Sequence, residues 1–272
     1  MADDAGRDNP ATADDAGRDN PATADDAGRD NPATADDAGA VLERLHRVAE
    51  QIAAAATDSG RRPDEVTILL ATKTQPAERI AVALRAGFTR IGENRVQEIT
   101  GKAAALQGIP HTTELIGHLQ RNKVNAVLPH LDRLQSLDTV ALAERLDRVL
   151  SGDQLPSPAP GRVLPVMVQV NVSGEASKFG VEPDRAPALL AAVAGLPHLR
   201  PVGLMTIGLN SQDLSAVRRG YALLRELRDR HLPGGELSMG MSGDFAAAIA
   251  EGATVVRLGS AVFGHRPSAA AR

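Results

Sequence analysis

The stretch that decides the fold is "VTILLATKTQP", Val66 to Pro76. Its first six residues, "VTILLA", form a short apolar run, the pattern of a strand buried on both faces. Thr72 and Lys73 follow, and Pro76 then opens the helical pattern "PAERIAVALRAG". A buried strand that runs through a short turn into a helix is the building unit of a parallel sheet. The lysine at its mouth is unusual for this chain. Of 30 basic residues only four are lysine: Lys73, Lys102, Lys123 and Lys178.

Outward from that unit the pattern repeats. Strand candidates follow near 88–91, at "ELIGH" (114–118), "RLQS" (133–136), "VLPVMVQVNV" (163–172), "RPVGLMTI" (200–207), "ELSM" (236–239) and "TVVRLG" (254–259). Helical periodicity covers about 40–57, 76–87, 96–106, 119–128, 139–150, 183–194, a long segment ending near 230, and 244–252. The segment "SGDQLPSPAPG" (151–161) is a loop by its proline and glycine content. Eight strand candidates, each followed by helix or a helical turn, predict an α/β fold, a single (β/α)8 TIM barrel. An open doubly wound sheet would call for a G-x-G-x-x-G turn after its first strand, and none is present.

The barrel is assigned to residues 40–272, because residues 1–39 are of another kind. "ADDAGRDNPAT" occurs three times in tandem, at 2–12, 13–23 and 24–34, and a fourth copy starts at Ala35. The unit has no large apolar residue to offset the entropy of ordering, so 1–39 reads as a disordered acidic tail. Its 11 Asp and 3 Arg give a net of −8, leaving +4 on the other 233 residues of a chain whose total is −4. With four Phe, one Tyr and no Trp there is little to stack on bases, and no basic run, so nucleic-acid binding is excluded. The absence of cysteine removes disulfide and thiolate chemistry. Seven histidines without ligand spacing predict no metal. An acidic N-terminus without an apolar core segment, and no apolar run near the roughly 18 residues of a membrane span, predict a cytoplasmic protein.

In such barrels the working residues sit at the C-terminal ends of the strands. A rim lysine is ordinarily a solvated amine. Here apolar strand neighbours would desolvate it and favour the neutral, nucleophilic form, which matters only if a carbonyl ligand has a seat nearby. The last two strand ends offer one. "MSGD" (241–244) and "RLGSAVFG" (257–264) run into helical segments through small residues, in the two loops where these barrels commonly hold phosphate. Ser242, Ser260 and Arg257 add donors and charge. An aldehyde-reactive amine facing a phosphate seat points to pyridoxal 5′-phosphate, with a Schiff-base aldolase acting on a sugar phosphate as the alternative.

The segments "LLATKTQP", "IGENRVQE", "ELIGHLQRNKV", "LQSLDT", "VMVQVNVSGEASKFGV", "GLMTI" and "LSMGMSGDFAAAIAEGATVVRLGSAVFGHR" run in order from about 66 to 266. In them the chain resembles the YggS/PROSC family of pyridoxal phosphate homeostasis proteins. The resemblance implies a barrel of the alanine-racemase N-terminal-domain type and a carrier or regulator that holds pyridoxal phosphate as an aldimine on Lys73. It implies that Asn94, Ser242, Arg257, Gly259 and Ser260 surround the cofactor, with Arg257 facing the ring nitrogen or the phosphate. Apo forms of pyridoxal-phosphate enzymes are the implied recipients, and a monomer the implied state. The chain departs from the family at Gln75, where a second lysine is common, and at Arg95, where an aromatic residue is common. The alternative function is a racemase-like enzyme. Two-base racemisation needs a tyrosine opposite the lysine, and the only tyrosine, Tyr221, is expected on the barrel's outside. His118 is the nearest other base, although a rim histidine ordinarily has a structural, hydrogen-bonded role. No catalytic residue is assigned.

Overall fold

A computed structural model describes residues 35–152, 161–175, 178–209, 211 and 213–264. The strands are β1 (Thr67–Ala71), β2 (Arg90–Glu93), β3 (Thr112–Leu115), β4 (Arg133–Leu137), β5 (Leu164–Gln169), β6 (Leu199–Met205), β7 (Glu236–Ser238) and β8 (Val255–Leu258). Each pairs in parallel with the next, and β8 closes on β1, making the eight-stranded barrel that the strand count predicts.

The helices are α1 (Ala35–Asp58), α2 (Ala77–Arg85), α3 (Val96–Leu106), α4 (Val124–Val127), α5 (Val140–Leu150), α6 (Ala186–Ala194), α7 (Leu214–His231), α8 (Phe245–Ala250) and α9 (Ser260–Phe263). Helix α1 shows how the sequence seats them. Val41, Leu45, Val48, Ile52 and Ala56 recur at three- and four-residue spacing and are all buried, where α1 packs on α2, α8 and α9. The other segments differ in detail. The expected helix over 119–128 is a 3₁₀ turn (Arg121–Lys123) followed by the single turn α4, and Pro129 sits in a further 3₁₀ turn. The strands predicted at 88–91 and 114–118 lie at Arg90–Glu93 and Thr112–Leu115. Beyond β3, Gly117 approaches Asn94 so closely that a Cβ there would stand 2.1 Å from the Asn94 carbonyl oxygen.

The first helix starts earlier than the helix expected over 40–57. Helix α1 begins at Ala35, inside the fourth repeat copy, and not at residue 40. Asp36 and Asp37 occupy its first turn, where carboxylates favour a helix N-terminus. Asp37 Oδ2 lies 2.7 Å from Arg79 Nε on α2, so part of the repeat is built into the body. The rest of the predicted tail, residues 1–34, lies outside the described residues, as does most of the predicted loop at 151–161.

Most of the apolar core lies between the sheet and its helices, while the barrel interior is largely polar. Among the described residues, Leu69, Ile116 and Val255, with Ala71 beside them, form an apolar cluster separate from the main core. Around the axis runs a hydrogen-bonded chain. Arg90 Nε donates to Glu114 Oε1 (2.6 Å), Gln135 Nε2 to Glu114 Oε2 (2.6 Å), Ser238 Oγ to Gln135 Oε1 (2.6 Å) and Arg257 Nη1 to Ser238 Oγ (2.8 Å). Arg133 Nη1 donates to Glu236 Oε1 at 2.6 Å beside the Arg90 end of the chain. Among the described residues, no helix is long and apolar enough to cross a membrane.

Candidate functional site

A cavity of about 660 Å³ opens at the C-terminal ends of the strands, and Lys73, Asn94, Ser242, Arg257, Gly259 and Ser260 all line it. The fold therefore brings together all six residues singled out from the sequence. The cavity has two adjoining banks, the turns after β1 and β2 and the loops after β7 and β8, which meet where β8 pairs with β1.

Lys73 sits in the turn after β1, which is closed by Gln75 N–H donating to the Thr72 carbonyl at 3.0 Å. Thr74, third in that turn, has φ +62°, a left-handed conformation that costs a non-glycine residue about 1–3 kcal/mol. Surrounding contacts offset this cost. Thr74 N–H points at both oxygens of Glu98, at 3.3 and 3.4 Å. Thr72 is buried and donates through Oγ1 to Glu93 Oε1 at 2.7 Å. The Lys73 side chain itself is exposed. The expected desolvation by the strand is thus absent, because β1 ends two residues earlier and only the turn surrounds the lysine.

Glu93 ends β2, and its side chain points away from the barrel axis, since its neighbour Gly92 faces Leu69 and Ile116 on the inside. It is 1 % exposed. Burial raises its carboxyl to about 7 and the nearby Glu98 carboxyl pushes the same way, against the opposing pull of Lys102 and Thr72. Its Oε1 accepts from Lys102 Nζ at 2.7 Å, while Oε2 is buried without a hydrogen-bond partner.

On the adjoining bank Arg257 lies within β8, not past its end, and reaches into the barrel. Its two terminal nitrogens donate to Ser238 Oγ (2.8 Å) and the Thr206 carbonyl (2.7 Å). Burial lowers its guanidinium to about 10, which leaves it cationic at neutral pH. Gly259 follows with room for little else, since a Cβ there would approach the Ala71 carbonyl to 3.3 Å. The loops after β7 and β8 are fastened to each other, because Ala261 N–H donates to Ser242 Oγ at 3.3 Å.

Asp244 anchors the loop after β7 by accepting from Met241 N–H (2.6 Å) and from the Tyr221 hydroxyl (2.7 Å). Tyr221 lies, as expected, on a helix outside the barrel. It is fully buried on the inner face of α7, where an aromatic ring gains most from packing. Burial and the Asp244 carboxylate push its hydroxyl far up, so it stays protonated.

His118 also lines the cavity. Its ring stacks on Phe179 with centroids 4.2 Å apart, and its Nδ1 lies 3.3 Å from Asp138 Oδ2. Burial raises the Asp138 carboxyl, partly offset by His118. Phe179, Gln169 and Ile116 line the cavity too, and sequence reasoning missed them. Gln169 was legible in principle as a lone amide at the end of an apolar strand; Phe179 sits on a loop whose path the sequence does not reveal. Arg95 reaches the cavity, whereas Lys178 is engaged elsewhere, donating to the Gly208 carbonyl and pairing with Glu175. Among the described residues no cluster of His, Asp and Glu could hold a metal ion.

The model of the alanine racemase N-terminal domain family matches residues 44–267. A pyridoxal phosphate homeostasis protein of Pseudomonas aeruginosa is 43 % identical over 227 residues, covering 83 % of this chain and 96 % of that one. The chain belongs to the pyridoxal phosphate homeostasis protein family. A second member, from Escherichia coli, is 40 % identical over 233 residues, covering 83 % of this chain and 97 % of its own. PipY of Synechococcus elongatus, solved with pyridoxal phosphate bound, superposes with a TM-score of 0.69 at 33 % identity, over 82 % of this chain and all of that one. The barrel is therefore the alanine-racemase type of the family.

Proposed function

We propose that this chain binds pyridoxal 5′-phosphate and takes part in its homeostasis, holding the cofactor covalently on Lys73 and passing it on to apo-enzymes in the cytoplasm, as a monomer. The observation that carries the reading is one cavity with an exposed primary amine on one bank and a buried cation with two seryl loops on the other. When bound, the ligand supplies an aldehyde carbon and a phosphoryl anion. Lys73 Nζ adds to the aldehyde carbon in place of its oxygen, which leaves as water. Ser242, Ser260 and the close backbone at Gly259 receive the phosphoryl end, Arg257 closes the inner wall, and Asn94 borders the ring.

Racemisation has less support. Tyr221 is locked to Asp244 and protonated, so it cannot serve as the second base. His118 has an orienting carboxylate, but it is held in a ring stack. Borohydride treatment of the protein with pyridoxal phosphate should fix the label on Lys73, as read by peptide mass, and Lys73→Ala should abolish it. A label elsewhere overturns the site. Amino-acid turnover by the pure protein that is lost in Lys73→Ala overturns the carrier role.

A further inference from the structure

Lys73 is held from behind, on both sides of its own backbone. The carbonyl of the Thr72–Lys73 peptide accepts from Lys102 Nζ at 3.0 Å. The N–H of the Lys73–Thr74 peptide points at the Glu98 carboxylate, at 3.3 and 3.4 Å from its two oxygens. Glu98 and Lys102 stand one turn apart on α3, with Nζ 3.8 Å from Oε2. Lys102 is seated in turn by Glu93, which also holds the Thr72 hydroxyl. Neither Glu98 nor Lys102 lines the cavity that contains Lys73. With Glu93 they border a separate space of about 220 Å³ between β2, β3 and α3.

Ionic side chains placed at both peptide groups of one residue fix that residue's φ and ψ, and so the direction of its Cα–Cβ bond. For an exposed lysine no packing does this. The left-handed Thr74 makes the need greater, because the turn has to be kept in a conformation that threonine disfavours. We infer that Glu98 and Lys102 are positioning residues, a two-point clamp on α3 that aims the Lys73 amine at the aldehyde carbon of a pyridoxal-type ligand. This inference rests on the function proposed above. It assigns to α3 a role in covalent capture that is separate from phosphate binding.

The separation gives the test. The full chain, stripped with hydroxylamine and dialysed, is mixed with pyridoxal phosphate or with pyridoxal, which has no phosphate. The rate of borohydride-trapped label at Lys73 is read by mass spectrometry, and inorganic phosphate is titrated as a competitor. Lys102→Met and Glu98→Ala should each slow labelling by about tenfold with either aldehyde, the scale expected when a reacting group loses its orientation. Lys102→Arg and Glu98→Gln retain a donor or an acceptor and should restore most of the rate. The phosphate competition constant should stay unchanged in all four variants. Wild-type rates in both Lys102→Met and Glu98→Ala overturn the clamp. A matching loss of phosphate competition overturns it as well, because the whole rim would then have loosened. If the unmodified chain takes no label at Lys73, the proposed function itself fails; a labelled wild type with indifferent variants removes only the clamp.

Discussion

The two banks of the cavity are built on opposite principles. The Lys73 bank is an exposed turn with one residue in the left-handed region, tied down by charged side chains on α3. On the Arg257 bank the cation is buried, while Ser260 in the loop beside it is exposed. The cation is fixed by a hydroxyl and a carbonyl, and the loops by a neutral tyrosine, an aspartate and a serine. An amine that must release its ligand has to stay accessible, so its order is imposed from the outside of the barrel. A cation that only receives charge can sit in the interior, where the low dielectric strengthens each of its contacts. One bank therefore depends on groups that include a carboxyl titrating near neutrality, and the other on an arginine that stays cationic there.

The largest expected break is on the buried side. Arg257→Gln cannot satisfy both Ser238 Oγ and the Thr206 carbonyl, and it removes the charge at the end of the axial chain. Buried hydrogen bonds to charged groups contribute roughly 1.5–3 kcal/mol, so the variant should lose about that much cofactor affinity together with some thermal stability. Absorbance titration with pyridoxal phosphate reads the first and calorimetry the second. Unchanged affinity takes Arg257 out of the site.

A smaller effect, with a definite sign, belongs to the Lys73 side. Burial raises the Glu93 carboxyl from 4.5 to about 7, so between those values the folded chain holds more protons than the unfolded one. Stability contributed through this group is then highest at acid pH and falls as pH rises through 7. The groups facing it are Glu98, Lys102 and Thr72. Glu93→Gln retains an acceptor for Lys102 and Thr72 but does not titrate. Its stability should change less than wild type between about pH 5 and pH 8, by roughly 1–2 kcal/mol after allowing for sharing of the charge with its neighbours. Parallel melting curves at the two pH values would refute the assignment if wild type and variant shift equally.

What the sequence made legible follows the same division. Barrel strands buried against helices announce themselves as apolar runs, and catalytic-face residues follow their ends, so Lys73, Ser242 and Ser260 could be placed by counting. The axial chain could not. Glu114, Gln135 and Ser238 stand in strands as isolated polar residues, and only closure of the sheet shows that they point at one another. Tyr221 could be placed on an outer helix, but a helix pattern marks an inner face without saying what lies beneath it, here the Asp244 loop. The clamp was hidden for a similar reason. Glu98 and Lys102 read as an ordinary i,i+4 surface pair, and their true partners are backbone groups 24 and 30 residues away.

The weakest contact tested lies where the repeat enters the fold. Asp37 belongs to the fourth copy of a unit with no large apolar side chain, yet it pairs with Arg79, whose Nη1 donates to Gln75 Oε1 at 2.6 Å and whose Nη2 donates to the Phe263 carbonyl at 3.1 Å. Arg79 thus joins the start of α1 to the segment after Lys73 and to the end of α9. The Asp37 side chain is 34 % exposed, and pairs of that kind contribute up to about 1 kcal/mol. Asp37→Asn should lower the melting temperature slightly, with the loss shrinking as salt is raised, and leave labelling at Lys73 intact because the clamp on α3 is untouched. A marked fall in labelling would show that the tail side of α1 also helps to hold the amine, and that the Lys73 bank is fixed from two directions, α1 as well as α3.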